Sequence, residues 1–395
     1  MKLRTISLII ALAAIISAFS SCSEKAETEK PVTSYEQSIT AATSKPVETT
    51  VQPTTSEAEK YDKKAESILA EMTLEEKVGQ VFFARFPSDG AAEDAGKYHF
   101  GGYILFGRDF EGKTSGEVTE MISGVQSNAR LPLLIGVDEE GGTVVRVSDN
   151  PQLRDEPFDS PKNIYESGGW EAISNTAAEK AQLLKSLGIN VNLDPVCDLV
   201  SDSASFMYDR SFSGDAEMTG EFVRRTVKEY SRNKLGSVLK HFPGYGENSD
   251  THTGIAVDGR ELYELEQNDF IPFAEGIKAG ADCVLVSHNI IIKVDEEYPA
   301  SLSETIHNIL REKLNFDGVI MTDDLIMEAI TDYTGDENAA VTAVKCGNDL
   351  LISSNYEEQY PAVLNAAESG EISLSQLEAS VKRILVMKLR LGIIS

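Results

Sequence analysis

The amino-acid sequence predicts an α/β fold, and within that class a (β/α)₈ barrel built as a single domain. Short apolar or β-branched runs of strand length recur along the chain after about residue 61, and helix-like segments separate most of them. Polar residues follow directly at the ends of several runs, as they do at the rim of such barrels. With 395 residues and 41% hydrophobic content, the chain is long and apolar enough to fill the core of one barrel.

Eight runs are candidate strands, and they occupy residues 81–85, 103–107, 133–138, 189–196, 237–242, 283–288, 318–324 and 349–354. The candidate helices cover residues 114–130, 177–188, 222–236, 302–314 and 373–392. A doubly wound open sheet would show the same local alternation of strands and helices. No candidate strand, however, is followed by a GxGxxG or GxxxxGK[ST] phosphate loop, which favours the barrel. We therefore assign residues 61–395 to the barrel.

The first 22 residues have the pattern of a lipoprotein-type signal peptide. Lys2 and Arg4 precede the apolar stretch ISLIIALAAIISAF, and small residues then lead to Cys22. The apolar stretch is short for a membrane span and fits the central region of an export signal. We expect Cys22 to become a lipidated N-terminus, with an ordinary cleaved signal peptide and a secreted protein as the alternative.

Residues 23–60 are dominated by Ser, Thr, Glu and Lys with scattered Pro. Such a segment cannot bury enough apolar surface to offset its ordering entropy, so we expect a disordered tether. Signal and tether together predict an exported protein anchored to the outer face of the cytoplasmic membrane.

Charge and cysteine usage exclude several other classes of protein. The formal net charge of −28 repels phosphate backbones, so we expect no nucleic-acid partner. Cys197, Cys283 and Cys346 lie in apolar contexts without CxxC or Cys/His spacing, which predicts buried core residues without a disulfide framework. The pattern gives no metal site and no cofactor, and it leaves the oligomeric state open.

Polar residues at the carboxyl ends of the candidate strands converge on one rim if the barrel forms. These residues are Asp138, Asp194, Lys240, His241, His288, Asp323 and Asp324. Asp323 follows an apolar run, a position suited to a nucleophile. His252 lies in a Gly/Pro-rich loop, and Asp250 could orient its ring, as the acid of a catalytic triad does. A solvated surface His252, a turn-forming Asp250 and a helix-capping Asp323 or Asp324 are the alternatives.

Five segments resemble glycoside hydrolase family 3, in the family's order across residues 75–360. They are KHFPGYG with the following DTH, GVIMTDDLIMEAI, GVDEEGGTVVRV, MYDRSFSGDAE and INVNLDPVCDL. The Asp-x-His variant after KHFPG resembles the β-N-acetylglucosaminidase branch of that family. Because this chain ends soon after its eighth strand and a final helix, we expect the barrel's own loops to supply the acid/base.

The resemblance implies a role for each matching residue. Asp323 would be the nucleophile and His252 the acid/base, with Asp250 as its partner. The residues that would bind sugar hydroxyls in the first subsite are Asp138, Arg210, Lys240 and His241, and Arg146 and His288 are further candidates. The strand pattern alone does not decide between Asp323 and Asp324, so that choice depends on the family motif.

The implied activity is retaining exo-hydrolysis of terminal β-linked GlcNAc from cell-wall fragments or chitin oligosaccharides. Tyr245 stands where the glucosaminidases commonly have a second His, and a Tyr there resembles family 3 β-glucosidases. A β-glucosidase therefore remains an alternative. A β-GlcNAc phosphorylase is another, since an imidazole acid/base permits an anionic acceptor. A surface sugar-binding lipoprotein is the non-enzymatic alternative.

Overall fold

The computed structural model describes residues 56–246, 256–327, 330, 333 and 338–395. The signal peptide with Cys22 and nearly all of the tether lie outside the described residues. So do Asp250 and His252.

Eight parallel strands form the central sheet, and each one falls within or beside a run that the sequence predicts. They are β1 (Phe82–Arg85), β2 (Gly102–Leu105), β3 (Leu134–Val137), β4 (Val191–Asn192), β5 (Gly236–Phe242), β7 (Cys283–Val286), β9 (Val319–Thr322) and β10 (Leu351–Ser353). Their order in the sheet is β10-β1-β2-β3-β4-β5-β7-β9. A parallel bridge between Met321 and Leu350 joins the two outer strands, so the sheet is a nearly closed barrel. The predicted fold class is confirmed.

Helices precede the first barrel strand, separate most of the following strands and end the chain. They are α1 (Glu57–Ala70), α2 (Leu74–Gln80), α3 (Ala91–Tyr98), α4 (Gly107–Phe110), α5 (Ser115–Asn128), α6 (Pro161–Ser186), α7 (Ala216–Arg232), α8 (Leu262–Gln267), α9 (Phe270–Ala279), α10 (Glu304–Asn308), α11 (Ala339–Cys346), α12 (Tyr356–Ser369) and α13 (Leu374–Arg390). A π-helical turn at Ile309–Lys313 completes the segment predicted as the helix 302–314. A short separate parallel pair, β6 (Val257–Asp258) with β8 (Ile290–Ile291), lies outside the barrel sheet.

Two helix boundaries differ from the sequence expectation. Helix α1 begins at Glu57, inside the segment assigned to the tether, because Ser56 and Glu59 form a capping box that satisfies its first backbone amides. Helix α6 begins at Pro161, well before the predicted start at residue 177. Its first part is interrupted at Gly168 and Gly169, where the backbone angles are not helical. Because of this interruption, the sequence does not show one continuous helical period.

The barrel interior is packed with large apolar side chains. Phe83 on β1 is fully buried, and its ring lies against the backbones of the next strands. A Cβ atom at Gly136 would lie 2.4 Å from Phe83 Cζ, and one at Gly102 would lie 2.7 Å from Phe83 Cε2. Both strands therefore need glycine at these positions. Cys197, Cys283 and Cys346 are buried free thiols, as the sequence predicts.

Lys388 on α13 is a fully buried lysine near the start of the barrel strands. Its Nζ atom donates a hydrogen bond of 2.8 Å to Gln80 Oε1, and Gln80 in turn donates to the carbonyl oxygens of His99 and Phe100. Burial lowers the pKa of Lys388 to about 7, and no carboxylate within the described part of the chain offsets that effect.

We predict that Lys388 makes stability rise with pH above neutrality. Between pH 7 and the ordinary lysine pKa of 10.5, the unfolded chain binds a proton that the folded chain lacks, so the free energy of unfolding increases with pH. A Lys388→Met variant should lose this rise and gain on the order of 2 kcal/mol or more at pH 6.5. Urea unfolding of both proteins at pH 6.5 and 9.0 measures the difference. An identical pH dependence in the two proteins would contradict the prediction.

Candidate active site

A cavity of about 320 Å³ opens at the carboxyl ends of the barrel strands. Asp138 follows β3, Lys240 and His241 lie on β5, Asp323 follows β9, and Arg210 comes from the long connection between β4 and α7. All five side chains line the cavity. The structure thus brings together every described residue that the sequence analysis assigned to the nucleophile or to hydroxyl binding.

A buried ion cluster forms one wall of this cavity. Lys240 Nζ donates to Asp138 Oδ1 at 2.5 Å and to Glu140 Oε1 at 2.6 Å. Arg210 binds Glu140 through two bonds, 2.9 Å from Nε to Oε2 and 2.7 Å from Nη2 to Oε1. Glu140 is only 1% exposed, so this carboxylate is the anchor that sets both cations in place.

The charges in the cluster determine its protonation. Burial alone would raise the pKa of Glu140, but the nearby charges of Arg210 and Lys240 outweigh it and lower that pKa well below 4.5. Burial would likewise lower the pKa of Lys240, and the carboxylates of Asp138 and Glu140 raise it instead. The wall therefore presents the cations of Lys240 and Arg210 beside the ionised carboxylate of Glu140, which suits a ligand with many hydroxyl groups.

His241 is oriented by a second buried carboxylate, that of Asp198. Asp198 Oδ2 lies 2.7 Å from His241 Nδ1 and also accepts the His241 backbone amide at 3.1 Å. The opposite ring nitrogen, Nε2, lies 3.3 Å from Arg210 Nη2 at the cavity. Because Nδ1 is occupied by Asp198, Nε2 is the ring atom that can face a ligand.

The loop after β3 is shaped by Glu139, which is fully buried. Its carboxylate accepts the backbone amides of Arg146 at 2.9 Å and Val147 at 2.7 Å, and the Ser148 hydroxyl. This contact folds the GVDEEGG segment back on itself and directs Asp138 toward the cavity.

Asp323 and Asp324 differ in how their carboxylates are used. Asp324 accepts hydrogen bonds from the backbone amides of Ser354 at 3.1 Å and Ile326 at 3.2 Å, and from the Ser354 hydroxyl. Burial raises the pKa of Asp324. Asp323 Oδ1 accepts the Asp324 amide at 2.8 Å, which orients the Asp323 carboxylate. Asp324 therefore organises the loop between the ends of β9 and β10, and the choice of Asp323 as nucleophile stays a prediction from the family motif.

The other rim residues occupy supporting positions. His288 is fully buried, with Nδ1 2.7 Å from Ser301 Oγ and Nε2 3.0 Å from the Asp324 carbonyl oxygen, so it lies behind the Asp323 loop. Asp194 is also buried and accepts a 2.5 Å hydrogen bond from the Tyr230 hydroxyl.

Arg146 lines the cavity together with Arg85, from the end of β1. The Nε atoms of both are buried without a hydrogen-bond partner among the described residues. Such buried donors without a partner are uncommon in folded proteins, and both belong to side chains that line this cavity.

Tyr245, which departs from the resemblance, is 1% exposed. Its ring packs edge-on against His241 at 5.0 Å between centroids, and its backbone amide donates to Asp198 Oδ1 at 2.8 Å. Tyr245 is thus part of the support for His241 and does not line the cavity.

Asp250 and His252 lie outside the described residues, so the structure places only the chain on either side of them. Gly246 precedes that segment and Ala256 follows it. On the amino-terminal side, the Gly244 amide donates to the His241 carbonyl oxygen at 2.8 Å. The acid/base role of His252 therefore remains a prediction.

The sequence analysis missed Glu140 and Asp198. Both lie in segments that it quoted, GVDEEGG and LDPVCDL. An acidic residue next to a buried strand needs a cation or a set of hydrogen-bond donors to offset its desolvation. This requirement could have marked both residues as parts of a buried polar network. The partners could not be named without the fold.

Within residues 56–246, 256–327, 330, 333 and 338–395, no group of three or more His, Cys, Asp or Glu side chains could hold a metal ion. In the same part of the chain, no helix combines the length and the apolar character needed to cross a membrane.

The fold and the cavity define an α/β-barrel enzyme whose site combines a carboxylate with a charged wall. Residues 73–387 match the model of the glycosyl hydrolase family 3 N-terminal domain. The chain belongs to glycoside hydrolase family 3, as the sequence motifs predict.

Individual relatives agree with this assignment. A β-hexosaminidase of Xanthomonas campestris pv. campestris (strain B100) is 34% identical over 256 residues, covering 64% of this chain and 76% of the relative. A β-hexosaminidase of Hydrogenovibrio crunogenus is 34% identical over 284 residues, covering 70% of this chain and 78% of the relative. The solved family 3 β-N-acetylglucosaminidase of Paenibacillus sp. str. FPU-7 superposes with a TM-score of 0.77 at 32% identity. That match covers 82% of this chain but 63% of the Paenibacillus chain.

Proposed function

We propose that this protein is a retaining exo-β-N-acetylglucosaminidase that removes terminal β-linked GlcNAc through a covalent glycosyl-enzyme. The observation that carries the proposal is that Asp323 lines the same cavity as the cluster of Asp138, Arg210, Lys240 and His241. The similarity to β-hexosaminidases and to a β-N-acetylglucosaminidase supports the choice of sugar.

In the first step, the ion cluster binds the terminal sugar. Charge-assisted hydrogen bonds from Lys240 and Arg210, and acceptors on Asp138, suit hydroxyl groups on one side of a sugar ring. The cavity of about 320 Å³ lies at the lower end of the usual range for ligand pockets. It accommodates one terminal sugar, which favours exo-action over cleavage within a chain.

In the second step, a carboxylate oxygen of Asp323 attacks the anomeric carbon of the bound sugar. The bond from that carbon to the glycosidic oxygen breaks as His252 donates a proton to the departing oxygen. His252 then accepts a proton from water, which attacks the same carbon, releases Asp323 and yields the sugar with retained configuration. Asp250 would orient the His252 ring throughout, as an acid does in a catalytic triad.

The assay of choice compares p-nitrophenyl β-GlcNAc with p-nitrophenyl β-glucose, using wild type and His252→Ala. We expect wild type to prefer the GlcNAc substrate strongly. We expect kcat of His252→Ala to fall by about 10²- to 10⁴-fold, because both the proton donor and the base for water are lost. Preference for glucose would overturn the proposed specificity, and an unchanged kcat in His252→Ala would overturn the proton-donor assignment. Adding phosphate tests phosphorolysis, and we expect free GlcNAc and no sugar 1-phosphate.

We further propose that the protein is exported and anchored through lipid on Cys22. The support is the sequence of the first 22 residues and the polar tether that follows. In bacteria that express the full chain, wild type should fractionate with membranes, and Cys22→Ser should not. A protein that stays in the cytoplasmic fraction would contradict export, and an exported soluble wild type would favour the secreted alternative.

A further inference from the structure

A charged cluster outside the cavity joins the two ends of the segment 247–255. Arg260 lies at its centre. Its Nη2 atom donates to the Gly244 carbonyl oxygen at 3.1 Å and to Asp258 Oδ2 at 2.6 Å. Its Nη1 atom donates to both oxygens of Asp269 at 2.9 Å, and Nε donates to both oxygens of Asp258. We call Arg260, Asp258 and Asp269 the Arg260 cluster.

The Arg260 cluster differs from a surface ion pair because its two carboxylates are buried. Asp258 and Asp269 are 2% and 3% exposed. Isolated exposed pairs contribute little, whereas a partly buried guanidinium bound to two buried carboxylates and a backbone carbonyl specifies one arrangement of the chain.

The backbone before the segment passes directly over the cluster. Gly244 has a φ of 116°, and a Cβ atom there would lie 2.4 Å from Asp269 Oδ1. A Cβ atom at Gly246 would lie 2.8 Å from Arg260 Cζ. Both glycines are therefore needed for this close approach, so the backbone path through Gly244 and Gly246 depends on the position of the Arg260 cluster.

The backbone after the segment is bound from a second direction. Val257 and Asp258 pair with Ile290 and Ile291 as the short sheet β6–β8. The Ile290 amide also donates to the Ala256 carbonyl oxygen at 2.8 Å. The carboxyl-terminal end of the segment is thus attached both to this sheet and, through Asp258, to Arg260.

We propose that Arg260 is a positioning residue for proton donation. Arg260 binds Gly244 before the segment and Asp258 after it, and so fixes the positions of the residues at its two ends. His252 lies between these ends in the chain and must reach the substrate from there. Because Gly244 and Asp258 bind the same guanidinium, the distance between the two flanking residues is fixed. Arg260 does not line the cavity and so acts through the segment. This inference depends on the proposed function, in which His252 is the proton donor.

The test uses the leaving-group dependence of kcat/KM, which a purely structural role would not alter. Proton donation matters for N,N′-diacetylchitobiose, whose leaving alcohol is poor, and matters little for dinitrophenyl β-GlcNAc, whose leaving group departs unassisted. For Arg260→Lys we expect kcat/KM to fall by about 10²-fold on chitobiose and to stay within about threefold on the dinitrophenyl substrate. His252→Ala should show the same pattern more strongly.

Arg311→Lys is the matched control. Arg311 binds the buried Asp349 at 2.5 Å and the carbonyl oxygens of Phe316 and Gly318 at 2.7 Å, near the amino-terminal ends of β9 and β10. It therefore has a similar set of partners at the opposite end of the barrel, and we expect no leaving-group dependence from it. Thermal unfolding checks that each variant is folded. If Arg260→Lys does not fold, Asp258→Asn replaces it with the same expected pattern.

The outcomes separate this inference from the proposed function. If Arg260→Lys lowered kcat/KM equally on both substrates, the positioning role of Arg260 would be overturned. The same would follow if Arg311→Lys lowered kcat/KM on chitobiose alone. Neither result would affect the assignment of His252 as proton donor. If His252→Ala lacked leaving-group dependence, the proton-donor assignment would fail and the positioning role with it. No turnover of any β-GlcNAc substrate by wild type would overturn the proposed function itself.

Discussion

Replacing Asp323 by Asn should abolish turnover and leave the fold intact. The amide has nearly the same shape as the carboxylate but cannot form the ester to the anomeric carbon, so we expect kcat to fall by at least about 10³-fold. Asp323 is only partly buried, and its Oδ1 atom accepts the Asp324 amide at 2.8 Å, a contact that the Asn carbonyl oxygen can also make. We therefore expect the free energy of unfolding to change by less than about 1 kcal/mol.

Asp324→Asn is the matched control for that experiment. The neighbouring carboxylate is engaged by Ser354 and by the Ile326 amide, so its loss should disturb the loop without removing the nucleophile. Single-turnover kinetics should show release of the aglycone by Asp324→Asn and none by Asp323→Asn. The reverse result would mean that the family motif had been assigned to the wrong member of the pair.

Glu140→Gln should be the most destabilising single change in the cavity wall. It removes the carboxylate that compensates Arg210 and Lys240, and Lys240 is itself only 2% exposed. Leaving buried charges without their partner costs about 3–5 kcal/mol. The pKa of Glu140 is lowered in the folded protein, so its stabilisation is present above the ordinary value of 4.5 and is lost as the pH falls below it.

Urea unfolding at pH 7 measures the effect of Glu140→Gln, with Glu221→Gln as the control. Glu221 pairs with Arg224 and Arg225 on the exposed side of α7, where removal of a charge should cost less than about 1 kcal/mol. KM for p-nitrophenyl β-GlcNAc should also rise in Glu140→Gln, because Lys240 and Arg210 lose their orientation. Equal stability losses in the two variants would contradict the role of Glu140 as an anchor.

The barrel could be predicted from the sequence because buried parallel strands are nearly continuous apolar runs. The seven-residue strand β5 is buried throughout, and its two polar residues with titratable side chains, Lys240 and His241, stand out near its carboxyl end. The interruption of α6 at Gly168 and Gly169 was less accessible, because two glycines in a polar stretch resemble a loop.

The supporting residues of the site required the structure. Glu140 is 70 residues from Arg210 in the chain, and Asp198 is 43 residues from His241. The sequence around either acid does not indicate which residue it will contact. The contact between Arg260 and the Gly244 carbonyl oxygen could not be predicted from the sequence either. The reacting groups, by contrast, lie in short motifs, so the resemblance could assign them position by position.

Trapping the covalent intermediate tests the central claim most directly. A 5-fluoro β-GlcNAc derivative with a dinitrophenyl leaving group should label the enzyme. The fluorine slows both formation and hydrolysis of the glycosyl-enzyme, whereas the good leaving group speeds formation alone. The glycosyl-enzyme should therefore accumulate. Peptide mass spectrometry should then locate one sugar on Asp323 in wild type and none in Asp323→Asn. A sugar on Asp324 or on any other residue, or rapid turnover without any label, would contradict the mechanism.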